Sequence, residues 1–450
     1  MKRTKVLLFV MAIMLIVAGL AGCQNNSKTP EESTKPTDKP SETANQDEKI
    51  KITLYSLDWE DSLKVIVEDA YKEFREANPN VELEVMYDSH EAWATKVKTM
   101  MAGDGLPDMF VSQPSDLSVY AEYGAYADLT SYIDADQEWK DGFISGALNT
   151  MAVGDKIYGV PFGGYIEGVY YNTELFEKYN LEYPKTYAEL VEVVKVFAAN
   201  DVVSFAVGAK DGWPVTMTTH FLMDREAGYD YFKASMTDKE KTFENPMYVK
   251  AFDKMLELQK LGAFSKGVAG ASHDDAITMF KQGKAAMFVD GNWEVGGFKE
   301  HEDGEFIKKV KFANFPTVAD GQGVQNAACN GFGKSYCINN NISDAKKEAC
   351  IKLFKIITSN KFADRYLEEA GYICGNKATG VDESKIDPIM VDVNNVVSQA
   401  DQTWPAYGEF ITPGFYDEMN KVGQQLLLGQ ITAEDAAKQM EKARLEYQLQ

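Results

Sequence analysis

An α/β protein built as two lobes is what this sequence predicts, on three grounds. Its body opens on a strand–helix–strand unit, the same alternation recurs to the C-terminus, and residues 50–450 are more than one hydrophobic core usually encloses. Ile50, Ile52 and Leu54 alternate with polar residues as a half-buried strand does. From Ser62 to Ala77, Leu63, Ile66, Ala70 and Phe74 recur at helical spacing, and Asn78-Pro79 ends the run. Val81, Leu83 and Val85 then alternate with Glu82 and Glu84, which makes a parallel, right-handed unit. A helix near 91–102 leads into a strand at Asp108–Val111. Thr186 and Glu189 form a capping box before Leu190, Val191, Val194 and Phe197. Helical spacing returns at Pro246–Leu261, Ala345–Thr358, Tyr416–Leu428 and Thr432–Ala443, and no short repeat is present.

The N-terminus is of another kind. Lys2, Arg3 and Lys5 precede an apolar run from Val6 to Leu20, too short for a comfortable membrane span and of the length of a signal-peptide core. Leu20-Ala21-Gly22-Cys23 resembles a bacterial lipobox, which implies a signal peptide over 1–22 and lipidation of Cys23. Gln24 to Lys49 has three prolines, many polar residues and no aromatic, so it cannot bury enough area to fold. With Cys23 it reads as a tether over 23–49, spanning roughly 28 Å as a flexible chain.

The formal charge is −23, and residues 1–22 carry three bases and no acid. A body near −26 is poorly suited to nucleic acid, whose binding rests on neutralising phosphates. Cys329, Cys337, Cys350 and Cys374 contain no CxxC pair; one or two disulfides and buried free thiols both fit an outward-facing compartment. The four histidines are not at metal-ligand spacing, so neither metal nor cofactor is expected.

Open α/β sheets bind ligands beyond the carboxyl ends of their strands. Asp58, Trp59 and Glu60 follow the first strand; Ser112, Gln113 and Asp116 follow the third. In Gly283–Phe298, GKAAMFVDGNWEVGGF, an apolar strand runs straight into Asp290, Asn292 and Trp293. Three strand exits carrying polar and aromatic groups point to one binding edge.

Several segments resemble the bacterial extracellular solute-binding proteins that serve carbohydrate importers of the ATP-binding-cassette class, the group of maltose-binding protein. They are Gly103-Asp-Gly-Leu-Pro-Asp-Met-Phe110, Tyr158-Gly-Val-Pro-Phe162, Tyr170-Tyr-Asn-Thr-Glu-Leu-Phe176, Pro184-Lys-Thr186 with Glu189-Leu190, Gly283 through Trp293, and Gly429-Gln-Ile-Thr-Ala-Glu-Asp-Ala436. The resemblance implies the type II periplasmic-binding-protein-like fold, each lobe a mostly parallel sheet flanked by helices. It places the crossings near Phe162–Tyr165 and Asn314–Thr317. The lobes would be 50–161 plus 317–365 and 163–313 plus 366–450.

A pyranose presents C–H faces and a rim of hydroxyls. Indole and phenol rings cover the faces, while carboxylates and amides bind the rim. On this logic Trp293 is the leading ligand-binding residue, with Asp290 and Asn292 beside it, although an Asp at a strand end is also a common turn residue. Trp404, Trp213 and Trp59 are further aromatic candidates. Tyr165 and Glu167 by the first crossing, Asp58, Gln113, Asp116 and Asn330 complete the set, whereas Trp93 and Trp139 read as structural. The expected function is a lipid-anchored, monomeric, non-enzymatic receptor. It would pass a neutral mono- or oligosaccharide to the permease subunits of an importer. A glycoside hydrolase using paired carboxylates such as Glu167 and Asp290, or a sensor input to a membrane kinase, are the alternative readings.

Overall fold

Strand β1 (Ile50–Leu57), helix α1 (Asp61–Ala77) and strand β2 (Val81–Asp88) form the expected opening unit, with β1 parallel to β2 from Ile50 opposite Val81 to Leu57 opposite Asp88. The computed structural model describes residues 49–59, 61–103 and 105–449; the signal peptide, Cys23 and the tether lie outside them. Helix α2 (His90–Ala102) and strand β3 (Met109–Ser112) follow, and β3 pairs with β1 in parallel. Further strands are β4 (Gly159–Asn172), β5 (Val203–Ala206), β6 (Ala285–Gly291), β7 (Val310–Ala313), β8 (Ala327–Ile338) and β9 (Gln402–Trp404). They join one sheet in the order β2-β1-β3-β8-β4-β6-β5, with β9 on β8 and β7 on β4. The Thr186 capping box forms as predicted, and helices occupy Pro246–Lys260, Asp344–Ile357, Pro413–Leu427 and Ala433–Ala443. None of the helices among the described residues is long and apolar enough to cross a membrane.

Two long strands, β4 and β8, carry the sheet from one core to another. Val160 and Phe162 pack in a first core with Leu54, Ile66 and Trp93. Beyond Gly163-Gly164 the same strand alternates between two others. Tyr165 and Val169 enter a second core with Leu190 and Phe221, whereas Ile166 and Tyr170 enter a third with Phe288 and Phe298. Period-two alternation thus covers both faces of the sheet in the second lobe. Strand β8 makes the reverse passage, with Ala327 and Cys329 in the second core and Tyr336, Cys337 and Ile338 in the first.

That passage differs from the expected crossing at Asn314–Thr317. Phe315 and Val318 pack with Leu190 and Val215, because Arg225 ties this stretch to its own lobe. The guanidinium donates to Asn314 Oδ1 at 3.0 Å and to the carbonyls of Phe315 and Ala327 at 3.3 and 3.1 Å. Tyr366, Ala370, Tyr372 and Cys374 belong to the first core, past the expected limit at 365. The helix they begin on, Asn360–Ala370, ends at Gly371 in the left-handed region (φ 64°), and Gly164 N–H donates to Ile373 O at 2.8 Å beside the first crossing. Cys329, Cys337, Cys350 and Cys374 are all buried free thiols.

Candidate functional site

At the crossing strands the backbone is crowded. Phe332 pairs with Gly164 and Lys334 with Gly163 across a β-bulge. A side chain at Gly331 would meet Tyr165 Oη at 2.5 Å, so only glycine lets the Tyr165 ring lie over β8. Tyr165 Oη accepts from Ala406 N–H at 2.8 Å and donates to Glu409. Burial and the nearby Glu167 charge push the Glu409 carboxyl up to about 8, against the bond from Tyr165.

Around this floor the two lobes meet. From the first come helix α2 and helix α3 (Pro114–Tyr120), with Trp93, Gln113 and Asp116. Lys334 lies 5.0 Å over the Trp93 ring and donates to Gln113 Oε1 at 3.3 Å. Burial lowers the Lys334 ammonium to about 8, although Asp116 and Glu409 favour its charge. From the second lobe come Trp213, which opens helix α4 (Trp213–Ala227), and Trp293. The Trp213 ring lies 5.9 Å from His90, 4.5 Å from His273 and 6.5 Å from Trp293, and Trp293 is 6.4 Å from Tyr165. Trp293 is half-buried and packs against both the first and the second core. Its ring folds back over Gly291, where a side-chain carbon would stand 2.1 Å from the indole. Helix α3 also touches the turn at Tyr407–Glu409, so the lobes are in contact there.

Four polar atoms on these walls are buried without a partner: the indole nitrogens of Trp93 and Trp213, Asp116 Oδ1 and Glu409 Oε1. Buried polar groups are rarely left unpaired. Hydroxyls inside the cores, such as those of Tyr71 and Tyr248, are also unpartnered. What distinguishes the four is that two indole N–H groups and two carboxyl oxygens belong to residues gathered at one seam between aromatic rings. A hydroxylated, flat-faced molecule would satisfy them. A surface groove lined by Glu244, Lys438, Glu441 and Leu445 has no aromatic ring among its lining residues.

Of the residues predicted from sequence, Trp293, Trp213, Tyr165, Gln113 and Asp116 come together here. Asn330 is half-buried on β8 opposite Ile166. The others have different work. Asp290 is fully buried, holding His273 Nε2 at 2.6 Å and accepting from Gly291 N–H at 2.8 Å. Asn292 accepts from Ile166 N–H at 2.8 Å and donates to Gly371 O at 3.4 Å, pinning β4 to the segment after Ala370. Glu167 faces the lobe interior, with His220 and Cys329 against its carboxylate. Trp404 is a core residue stacked on Tyr229, and Trp59 packs on Phe162 while bonding Ser56. Asp58 is exposed and pairs with Lys64. Polar groups just past a strand were read as ligand contacts, yet these serve the backbone and core around them.

Trp93, Lys334 and Glu409 were missed. Trp93 follows β2 as Trp59 follows β1, so the strand-exit rule applied to β2 would have found it. Lys334 and Glu409 carry no local signal. Trp139, read as structural, is in the first core and donates to Thr358 Oγ1 at 2.9 Å.

Asp116 gives a test of the seam. Burial pushes its carboxyl from 3.8 up to about 6, with Lys98 and Lys334 pulling the other way. A raised folded value means that the protonated group favours the fold: its contribution is full below about pH 4 and lost as pH rises through 6. At pH 7 the charge costs up to about 3 kcal/mol at 1.36 kcal/mol per pKa unit. Asp116→Asn is therefore expected to raise the thermal midpoint at pH 7 and to leave it unchanged at pH 4. Equal gains at both pH values would reject the assignment.

Residues 58–361 match the family described as bacterial extracellular solute-binding protein. The multiple sugar-binding protein of Streptococcus mutans is 23% identical over 77% of this chain and 80% of its own length. A solved structure from work on xylan utilization by the thermophilic bacterium Caldanaerobius polysaccharolyticus has a TM-score of 0.82 at 28% identity, covering 87% of this chain and 99% of that one. A chitin oligosaccharide binding protein has a TM-score of 0.83 at 23% identity, covering 89% and 99%.

Proposed function

This chain belongs to the bacterial extracellular solute-binding proteins, and from that premise we propose that it is a lipid-anchored receptor for a neutral sugar or oligosaccharide. The family acts outside the cytoplasm as solute receptors. The finer reading adds an anchor at Cys23, action as a monomer without chemistry on the ligand, and delivery to the membrane subunits of an ATP-binding-cassette importer. The lobes are taken as 50–162 with 336–374, and 165–329 with 375–450, following the cores.

One observation carries the carbohydrate reading. Two indole N–H donors and two carboxylate oxygens lack partners along a seam flanked by Trp93, Trp213, Trp293 and Tyr165. Rings take the C–H faces of a sugar and the unpaired atoms take its hydroxyls. The sugar-binding relative and the neighbour from xylan utilization support the same class. A ligand contacting both lobes binds the closed form more tightly than the open one, which is how it shifts the equilibrium. Going from mostly open to mostly closed takes about 5.5 kcal/mol of differential binding.

The test is a thermal-shift panel of xylo-, chito- and malto-oligosaccharides with raffinose. A true ligand at 100 times its Kd adds about 2.7 kcal/mol to the native state. At least one member is expected to raise the midpoint and to be recovered intact afterwards. A panel without any shift would remove the carbohydrate reading, and cleaved products would remove the receptor reading.

A further inference from the structure

A cluster that the ligand seam does not use lies deeper in the second lobe. Glu167 on β4 and Cys329 on β8 are direct cross-strand partners, and His220 reaches them from helix α4. All three are buried, at 5%, 0% and 2% exposure. His220 Nε2 stands 3.0 Å from Glu167 Oε2, and Cys329 Sγ is 3.4 Å from the same oxygen. One carboxylate oxygen, one imidazole nitrogen and one sulfur lie within 4.8 Å of one another. We propose that Glu167, His220 and Cys329 bind a divalent metal ion of the zinc class, joining the two crossing strands to helix α4.

Three observations favour a metal over a plain ion pair. His220 Nε2 approaches the carboxylate closely yet makes no hydrogen bond with it, so the nitrogen is buried and unsatisfied. The spacing suits coordination: bonds of about 2.0–2.3 Å in a tetrahedron put ligand atoms about 3.3–3.6 Å apart, within a few tenths of an ångström of the 3.0 and 3.4 Å that separate Glu167 Oε2 from His220 Nε2 and Cys329 Sγ. The donor set of sulfur, nitrogen and oxygen is the one zinc takes. A second cluster, His273, Asp290 and Glu294, lacks the first of these features, because His273 Nε2 is bonded to Asp290 at 2.6 Å.

Charge supports the assignment. With no metal bound, Cys329 keeps its proton and its S–H donates to Glu167 Oε2 at 3.4 Å. Binding replaces that S–H proton by the metal, and the proton leaves to solvent. The ion's two positive charges then match one thiolate and one carboxylate, leaving no net charge in the interior.

Because the cluster is closed off, the ion would enter during folding. The full chain is unfolded with chelator and reductant, refolded with one equivalent of Co(II), and dialysed. About one cobalt per chain and a sulfur-to-cobalt absorption band are expected. Cys329→Ser should lose the band while refolding to the same circular-dichroism signal, and Cys337→Ser should keep it. The Zn(II)-loaded chain should melt above the metal-free chain, with no such gap in Cys329→Ser. Refolded protein that retains no cobalt, or a band that survives Cys329→Ser, would overturn the proposal.

Discussion

Arg225→Ala is expected to lower stability by about 3–5 kcal/mol, the usual cost of removing one partner from a buried ion pair. The side chain is completely buried and bonds Asp224 at 2.6 Å, besides Asn314 and the carbonyls of Phe315 and Ala327. Truncation strands those acceptors and leaves Asp224 without its counter-charge. Burial already holds the Asp224 carboxyl up at about 6 with the guanidinium present. Without it the group is driven further toward its neutral form, which returns part of the loss. Arg225→Lys should recover little, since an ammonium cannot span the four acceptors the planar fork reaches. Urea unfolding of the three proteins measures this. A loss below about 1 kcal/mol in Arg225→Ala would mean that these bonds do not hold the 314–327 segment in the second lobe.

Trp293→Ala should weaken binding of the best oligosaccharide in the panel about 30- to 150-fold, roughly the 2–3 kcal/mol of a central aromatic anchor. Trp293 is the one candidate indole in contact with both the first and second cores, so its face is offered where the lobes close. Trp139→Ala is the control. Its ring lies in the first core and its N–H is bonded to Thr358. That variant should lose stability and keep affinity, as titration calorimetry on folded protein would reveal. Unchanged affinity in Trp293→Ala would dismiss the seam as the binding site.

Much of this was legible because it is periodic or contiguous. The opening strand–helix–strand unit, the Thr186 box, the helices near 246–260 and 344–357, and the first crossing at Phe162–Tyr165 follow from spacing or from short matching segments. Strand exits singled out Trp293, Gln113 and Asp116, which the fold brings to one seam. The same rule over-reached at Asp290, Asn292 and Asp58, because a polar group after a strand can equally hold the turn it sits in.

By itself the sequence determined the α/β class, the two-lobed family fold and the aromatic and acidic character of the candidate binding edge, since these depend on local pattern and on residues adjacent in the chain. Only the tertiary structure decided that β8 rather than Asn314–Thr317 makes the return passage, that Trp93, Lys334 and Glu409 join the seam, and that Glu167, His220 and Cys329 meet. Those facts rest on contacts between residues tens to hundreds of positions apart. No spacing rule reports whether a carboxylate at the end of such a path faces a cleft or a histidine.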